Sequence, residues 1–247
     1  MTPRTRTLLA GLGIAALLTG VLTACATGSG GSPSTAPTTS SDDGNDDGAA
    51  DQEVGAAWLD GGRMIGIVTQ GSSTCIPTAE EATVDGSVLS VTLVDPEDDS
   101  ACTMDLVPRV TLVGVPEGVD PTQDLEIEVT GDGWSGDTDL EGVPGLTGGG
   151  ETDYLPSAGW TDVDGQFVVL SWGSSSCAPV IENTEATSAT EITVTFVTPP
   201  EDQVCTMDMA PRAVVTSVLE VEDEDAEIFA ILTGAEFDNV RIPIYPN

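Results

Sequence analysis

Apolar residues recur along this chain with a period of two. Within Ser87–Asp95, Leu89, Val91 and Leu93 fall on one side and Ser90 and Thr92 on the other. Leu125, Ile127 and Val129 alternate with Glu126 and Glu128, Ile65 and Ile67 share a face within Arg63–Gln70, and a further apolar run spans Val110–Val115. The pattern returns later in Phe167 and Val169, in Ile192, Val194 and Phe196, in Val214–Val218 and in Ile228–Leu232. Alternation of this kind predicts half-buried strands, and no stretch carries a 3.6-residue period. Gly, Pro and Asp separate the runs, as turns require. The expected fold is all-β, with antiparallel sheets packed on one face and wet on the other, arranged as small sandwiches or barrels.

The runs belong to a module that the chain spells twice. Cys102-Thr103-Met104-Asp105-Leu106-Val107-Pro108-Arg109 returns as Cys205-Thr206-Met207-Asp208-Met209-Ala210-Pro211-Arg212, six of eight letters being the same. Around this octet Trp58 aligns with Trp160, Gly71-Ser72-Ser73-Thr74-Cys75 with Gly173-Ser174-Ser175-Ser176-Cys177, and Thr130-Gly131 with Thr233-Gly234. Self-similarity at a fixed offset is the signature of a repeat. The first module is placed at 55–147, a linker at 148–157 and the second module at 158–247, with the boundary in Thr147-Gly148-Gly149-Gly150. Residues 132–157 are rich in Gly and Asp, with a short strand expected near Leu140–Val143, and Phe237–Tyr245 is their counterpart after the second copy.

Residues 1–24 differ from everything after them. Arg4 and Arg6 precede an apolar run from Leu8 to Leu18, too short and too rich in Gly and Thr to span a bilayer, so the segment reads as a signal peptide. Its end, Leu22-Thr23-Ala24-Cys25, resembles the lipobox of bacterial lipoproteins. That resemblance implies cleavage before Cys25 and a thioether-linked diacylglycerol on it, and two acyl chains suffice for stable anchoring. Residues 25–54 comprise this cysteine and an acidic stretch poor in large apolar residues, expected to be a disordered tether with an r.m.s. span of about 30 Å.

Charge and composition narrow the chemistry. The chain has no Lys and no His, and 42 carboxylates face six Arg, a formal charge of −36. Removing the leader with its two Arg leaves four Arg against 42 acids, a net −38. Such a field repels phosphate backbones, so nucleic acid is excluded as a partner. Without His there is no Ser-His or Cys-His nucleophile and no His-ligated zinc; without Lys there is no Schiff base or P-loop. Gly71-Ser72-Ser73 lacks the frame of a nucleophile elbow. Carboxylate pairs stay open in principle, for glycan hydrolysis or for cations at Asp132, Asp137, Asp139 and Glu141 or at Glu220 to Asp225. The expectation is a non-enzymatic protein with no cofactor, no catalytic residue and no dedicated metal ligands.

The remaining four cysteines fall two per copy. Four cysteines allow three connectivities, of which Cys75–Cys102 with Cys177–Cys205 is the simplest; each such bridge, closing about 28 residues, stabilises a thin module by roughly 3 kcal/mol. Asp105 with Arg109, and Asp208 with Arg212, are the charged pair retained in both copies, read as a turn cap and a loop pin. Trp58 and Trp160 are expected beside the bridges, by analogy with β-sandwiches. Trp172, whose counterpart is Gln70, and Trp134, in a Gly-rich loop, are the candidate binding residues, since exposed Trp is a common anchor.

Gly-Ser-Ser-x-Cys-x-Pro followed by Cys-Thr-Met-Asp-x-x-Pro-Arg, behind a lipobox in a Lys-free acidic chain, resembles uncharacterised duplicated-module lipoproteins of high-GC Gram-positive bacteria. The resemblance implies a setting on the extracytoplasmic face of the cell membrane and no particular activity. The expected function is a lipid-anchored binding or structural module with an envelope protein as partner; the alternatives are divalent-cation binding and a carboxylate-dependent glycan hydrolase.

Overall fold

Each alternating run forms a strand, and an antiparallel ribbon and a parallel strand pair occur in both halves. The computed structural model describes residues 49–96, 101–219 and 227–247, which belong to one compact unit, Asp46–Asn247. The first half contains β1 (Ala50–Asp51), β2 (Gly55–Leu59), β3 (Met64–Gly71), β4 (Thr78–Ala79), β5 (Thr83–Asp85), β6 (Val88–Val94), β7 (Val107–Gly114), β8 (Leu125–Gly131) and β9 (Trp134–Leu140). The second contains β10 (Ser157–Trp160), β11 (Gln166–Gly173), β12 (Ile181–Ser188), β13 (Glu191–Phe196), β14 (Ala210–Ser217), β15 (Phe229–Gly234) and β16 (Phe237–Tyr245).

In the first half β2, β3 and β7 make an antiparallel ribbon, while β6 runs parallel to β8 and β9 returns antiparallel beside it. In the second, β10, β11 and β14 make the ribbon, β13 runs parallel to β15, and β16 returns beside it. There β16 also pairs with β10, so all seven strands join in the order β12-β13-β15-β16-β10-β11-β14. The hydroxyls of Thr184 on β12 and Thr216 on β14 lie 2.8 Å apart, bringing the two edges of this sheet together. The six- and seven-stranded sheets are therefore mixed rather than purely antiparallel. The reason is topological: between β6 and β8 the chain leaves for the ribbon, through the octet and β7, and must re-enter the first sheet in its original direction.

Two cores lie inside the halves and a third lies between them. Trp58, Ile65, Ile67, Leu89, Val91 and Ile127 belong to the first; Phe167, Val169, Ile192, Val194, Phe196 and Leu232 belong to the second. Ala57, Leu59, Val68 and Val110 of the first ribbon meet Val168 and Leu170 of the second. The expectation of one wet face holds for β6 and β8, while the outer face of β13 is half-buried. It fails for β3 and β11, whose outer faces are covered by the opposite ribbon.

The ribbons meet back to back with their first strands crossing in opposite directions. The Asp60 amide, just after β2, donates to Ser157 Oγ at the start of β10 at 2.8 Å. Reciprocally, the position a Cβ would take on Gly55, at the start of β2, is 2.9 Å from Asp162 Oδ1, just after β10. Such an exchange is the mark of an isologous contact. At its centre Gly159 packs against the Trp58 backbone so closely that a Cβ there would clash with the carbonyl and stand 3.2 Å from the nitrogen. Because β3 and β11 run antiparallel to β2 and β10, their far ends, Gly71 and Gly173, point in opposite directions.

Three expectations change. Thr147–Gly150 is bound to the first half, with the Thr147 and Gly148 amides donating to Gly61 O at 3.2 and 3.0 Å and Arg63 Nε to Gly149 O at 2.9 Å. The Gly- and Asp-rich stretch after Gly131 holds a full strand, β9, rather than a short one near Leu140–Val143. The tryptophans stand away from the bridges: Trp58 and Trp160 pair with Ile65 and Phe167, at the opposite ends of β3 and β11 from Gly71 and Gly173. The Trp58 indole donates to Glu141 O at 2.8 Å, and Trp160 meets Phe167 edge to face at 5.1 Å.

Candidate functional site

The repeated octet closes a loop at the far end of each ribbon. The bridges are Cys75–Cys102 and Cys177–Cys205, one in each half, with Cα atoms 5.4 and 5.7 Å apart. Around the first, the Thr103 amide donates to Thr74 Oγ1 at 3.0 Å, the Ser72 and Thr103 hydroxyls lie 2.8 Å apart, and the Ser73 amide donates to Asp105 Oδ1 at 3.2 Å. The Thr103 hydroxyl donates to the same carboxylate. The second loop repeats the network: Thr206 amide to Ser176 Oγ at 3.0 Å, Ser174 and Thr206 hydroxyls 2.7 Å apart, Ser175 amide to Asp208 Oδ1 at 3.1 Å. Hydrogen bonds from Ser73 and Thr103 hold the Asp105 carboxyl down at about 2, and those from Ser175 and Thr206 do the same for Asp208. Each aspartate is a turn cap, ionised at any ordinary pH.

The arginines pin the loops from beneath. Arg109 lies over Gly71 and donates to Cys75 O, with its other end 3.5 Å from Asp95. Arg212 lies over Gly173, where a Cβ would be 2.7 Å from its guanidinium carbon, and donates to Cys177 O at 3.0 Å and Trp172 O at 3.1 Å. Its carboxylate partner is Glu236. Neither arginine pairs with the aspartate of its own octet. The two remaining arginines are also paired, Arg63 with Asp60 at 3.6 Å and Arg241 with Glu191 at 3.1 Å. All four arginines among the described residues thus face carboxylates, which leaves no cationic patch for phosphate or nucleic acid.

Above this frame the octets present apolar side chains to solvent. Met104 and Met207 are fully exposed, at 104% and 102%, and Leu106 and Met209 beside them at 77% and 60%. Sequence reading marked the octet and missed these methionines. The available signal was an identical apolar residue between Thr and Asp in both copies.

The expected tryptophan anchors are placed otherwise. Trp172 is half-buried against the central core, donates from Nε1 to Leu155 O at 3.2 Å and meets Tyr154 edge to face at 5.1 Å. Trp134 is half-buried, lying on Gly131 and packing against the first core, with Ala50 of β1 paired beside it. Both serve local packing. Cys25, the leader, residues 26–48 of the expected tether and the carboxylates Glu220 to Asp225 lie outside the described residues. The last residues of the expected tether belong to the fold instead: β1 pairs with β9 and Val54 is buried in the first core, because the chain joins the sheet edge before β2.

Carboxylates are plentiful but dispersed. Glu126 pairs across strands with Asp139, and Glu128 with Asp137, a like-charged face on β8 and β9. Asp132 and Glu141 stand at opposite ends of β9, so the expected four-carboxylate set does not converge. No group of three or more His, Cys, Asp or Glu among the described residues has a metal-holding arrangement. No helix among them is long and apolar enough to cross a membrane. What the fold and site define is an all-β protein with a bridged, hydrogen-bonded loop at each end. No family model, curated protein or solved structure matches the chain.

Proposed function

We propose that the chain is a lipid-anchored envelope protein, held at the extracytoplasmic face through Cys25, whose two bridged loops bind a partner protein without catalysis. The observation that carries this reading is the pair of fully exposed methionines on loops fixed by a disulfide, an aspartate cap and an arginine pin. A flexible apolar side chain in water contributes nothing to folding, and methionine adapts to many apolar sockets. Fixing the loop in advance lowers the entropy lost on binding. The net charge of −38 selects a partner with a basic surface and speeds its approach.

Crosslinking in native envelopes tests this, with wild type, Cys25→Ser, and Met104→Glu with Met207→Glu. The reading expects one protein captured by the wild type and lost with the methionine variant at unchanged melting temperature. Capture indifferent to both methionines refutes it. A second reading, binding of divalent cations, draws support from the like-charged pairs of β8 and β9. It requires calcium to raise the melting midpoint beyond the effect of matched ionic strength.

A further inference from the structure

The methionines of this chain divide sharply by position. Of the five in the sequence, Met1 begins the leader and Met64 packs, half-buried, against the core between the ribbons. The other three, Met104, Met207 and Met209, all stand on the octets, exposed at 104%, 102% and 60%. The four cysteines among the described residues are already oxidised, being paired in the two bridges. Bridges of this kind persist in oxidising surroundings. There the octet thioethers are the first unoxidised sulfurs that an oxidant meets.

A sulfoxide is polar, so oxidising a packed methionine disrupts the fold around it. At the octets that cost is absent. Met104 and Met207 are wholly in water, and the loops beneath them are held by groups that a mild oxidant leaves alone. These are the bridges, the caps made by Asp105 and Asp208, and the pins made by Arg109 and Arg212. Each loop can therefore carry its sulfur in two forms, an apolar thioether and a polar sulfoxide, on one scaffold. Charge selects the oxidant. Without its leader the chain carries a net −38, a field that holds back anions and leaves neutral molecules unaffected.

We infer that Met104, Met207 and Met209 are sites of reversible oxidation by a neutral peroxide or hypohalous acid, which switches both loops from apolar to polar without altering the fold. In the forward step the thioether sulfur takes one oxygen from hydrogen peroxide. The O–O bond breaks, an S–O bond forms, the sulfur loses two electrons and water leaves. A methionine sulfoxide reductase reverses the change with two electrons and two protons from a pair of thiols, releasing water and leaving a disulfide on the reductant. The inference rests on the binding role proposed above only for what the switch controls. Its test is read on the protein alone, so its failure is distinct from a failure of partner capture.

The experiment is peptide mass mapping during exposure to hydrogen peroxide, on the chain from residue 25 onward with Cys25→Ser. Met104 and Met207 should gain one oxygen each at the rate of N-acetylmethionine amide, within about twofold, and Met64 about tenfold more slowly. The melting temperature should move by less than about 1 °C when the octet sites are fully oxidised. Retention on a hydrophobic-interaction column should fall, and the two epimer-specific reductases together should restore it. Met104→Leu with Met207→Leu and Met209→Leu keeps the loops apolar without sulfur, so its retention should not respond to peroxide. With peroxymonosulfate, an anion, the octet rates should rise about twofold or more from low to high salt, whereas with peroxide they should stay level. Met64 oxidising as fast as the octets, a melting temperature lowered by several degrees, or unchanged retention overturns the switch. Retention that the reductases do not restore overturns its reversibility, and equal salt dependence for the two oxidants overturns the selection by charge.

Discussion

Replacing Gly159 by alanine probes the contact on which the whole arrangement of the two ribbons depends. The added methyl would point at the Trp58 backbone, overlapping its carbonyl oxygen and standing 3.2 Å from its nitrogen. Both are main-chain atoms of a strand held by β3 on one side and by the indole bond to Glu141 O on the other. Neither can yield by a side-chain rotation, so β2 and β10 must separate. Overpacking of this kind costs about 1–3 kcal/mol. Set against it is the gain from removing glycine freedom in the unfolded chain, about 0.4–1 kcal/mol. Gly159 has no left-handed backbone requirement, so no strain adds to the account. The net loss is about 1–2 kcal/mol, which for a unit of this size lowers the melting temperature by roughly 2–8 °C.

The assay is thermal unfolding followed by far-ultraviolet circular dichroism and by tryptophan fluorescence. With Trp58 in the first core and Trp160 in the second, fluorescence reports on both halves. Since Gly159 lies in the second half and its obstacle in the first, the two probes should fall together in one transition. A melting temperature within about 1 °C of wild type would refute the close approach of β2 and β10. Two separated transitions would refute a shared core.

Acid should release the bridged loops late. With the carboxyls of Asp105 and Asp208 held at about 2, below their ordinary 3.8, their contribution is complete above pH 4 and disappears as the pH falls through 2. The protection of the Ser73 and Ser175 amides, taken relative to the intrinsic exchange rate at each pH, should therefore hold to about pH 4 and fall between 4 and 2, and Asp105→Asn with Asp208→Asn should abolish that step. Protection lost already at pH 5 would contradict the assignment. Reducing either bridge should cost about 3–4 kcal/mol on the chain-entropy account, since 27 and 28 residues separate the cysteines. Urea midpoints of Cys75→Ser with Cys102→Ser, and of the matching pair, measure it; no change in midpoint would show that the loops are held without their sulfurs.

The alternating strands were readable because each buries one face against its own half. Leu89, Val91 and Leu93 stand inward and Ser90 and Thr92 outward, as their spacing requires. The ribbons were harder, although they left a mark. Phe167-Val168-Val169-Leu170 is apolar without interruption, the pattern of a strand buried on both faces, and only the second set of partners explains Val168 and Leu170. β9 escaped because its alternation, Gly136, Thr138 and Leu140 against Asp137 and Asp139, uses small and polar residues on the inner side. β12 escaped because its residues are almost all exposed. The parallel pairing of β6 with β8 follows from where β7 goes, which no local pattern records. At the loops, the cysteines and aspartates were legible from their repetition. Asp95 and Glu236 were not, since the two halves supply the same charge from unmatched positions.

That last difference sharpens what the octet is for. Its cysteine makes the bridge, its threonine and aspartate tie the turn, and its arginine pins the loop from below, whichever acid that arginine finds. Folding accounts for each of these identities. It does not account for the methionine, which is wholly in water in both halves and would serve the loop as well if it were Ser or Lys. Core packing does not explain a residue that packs against nothing, and on the function proposed above its apolar side chain serves recognition. The crossing of β2 and β10 turns the two octets to opposite ends of the body. On the function proposed above, one molecule would hold two copies of a partner apart and would not close both loops on a single site.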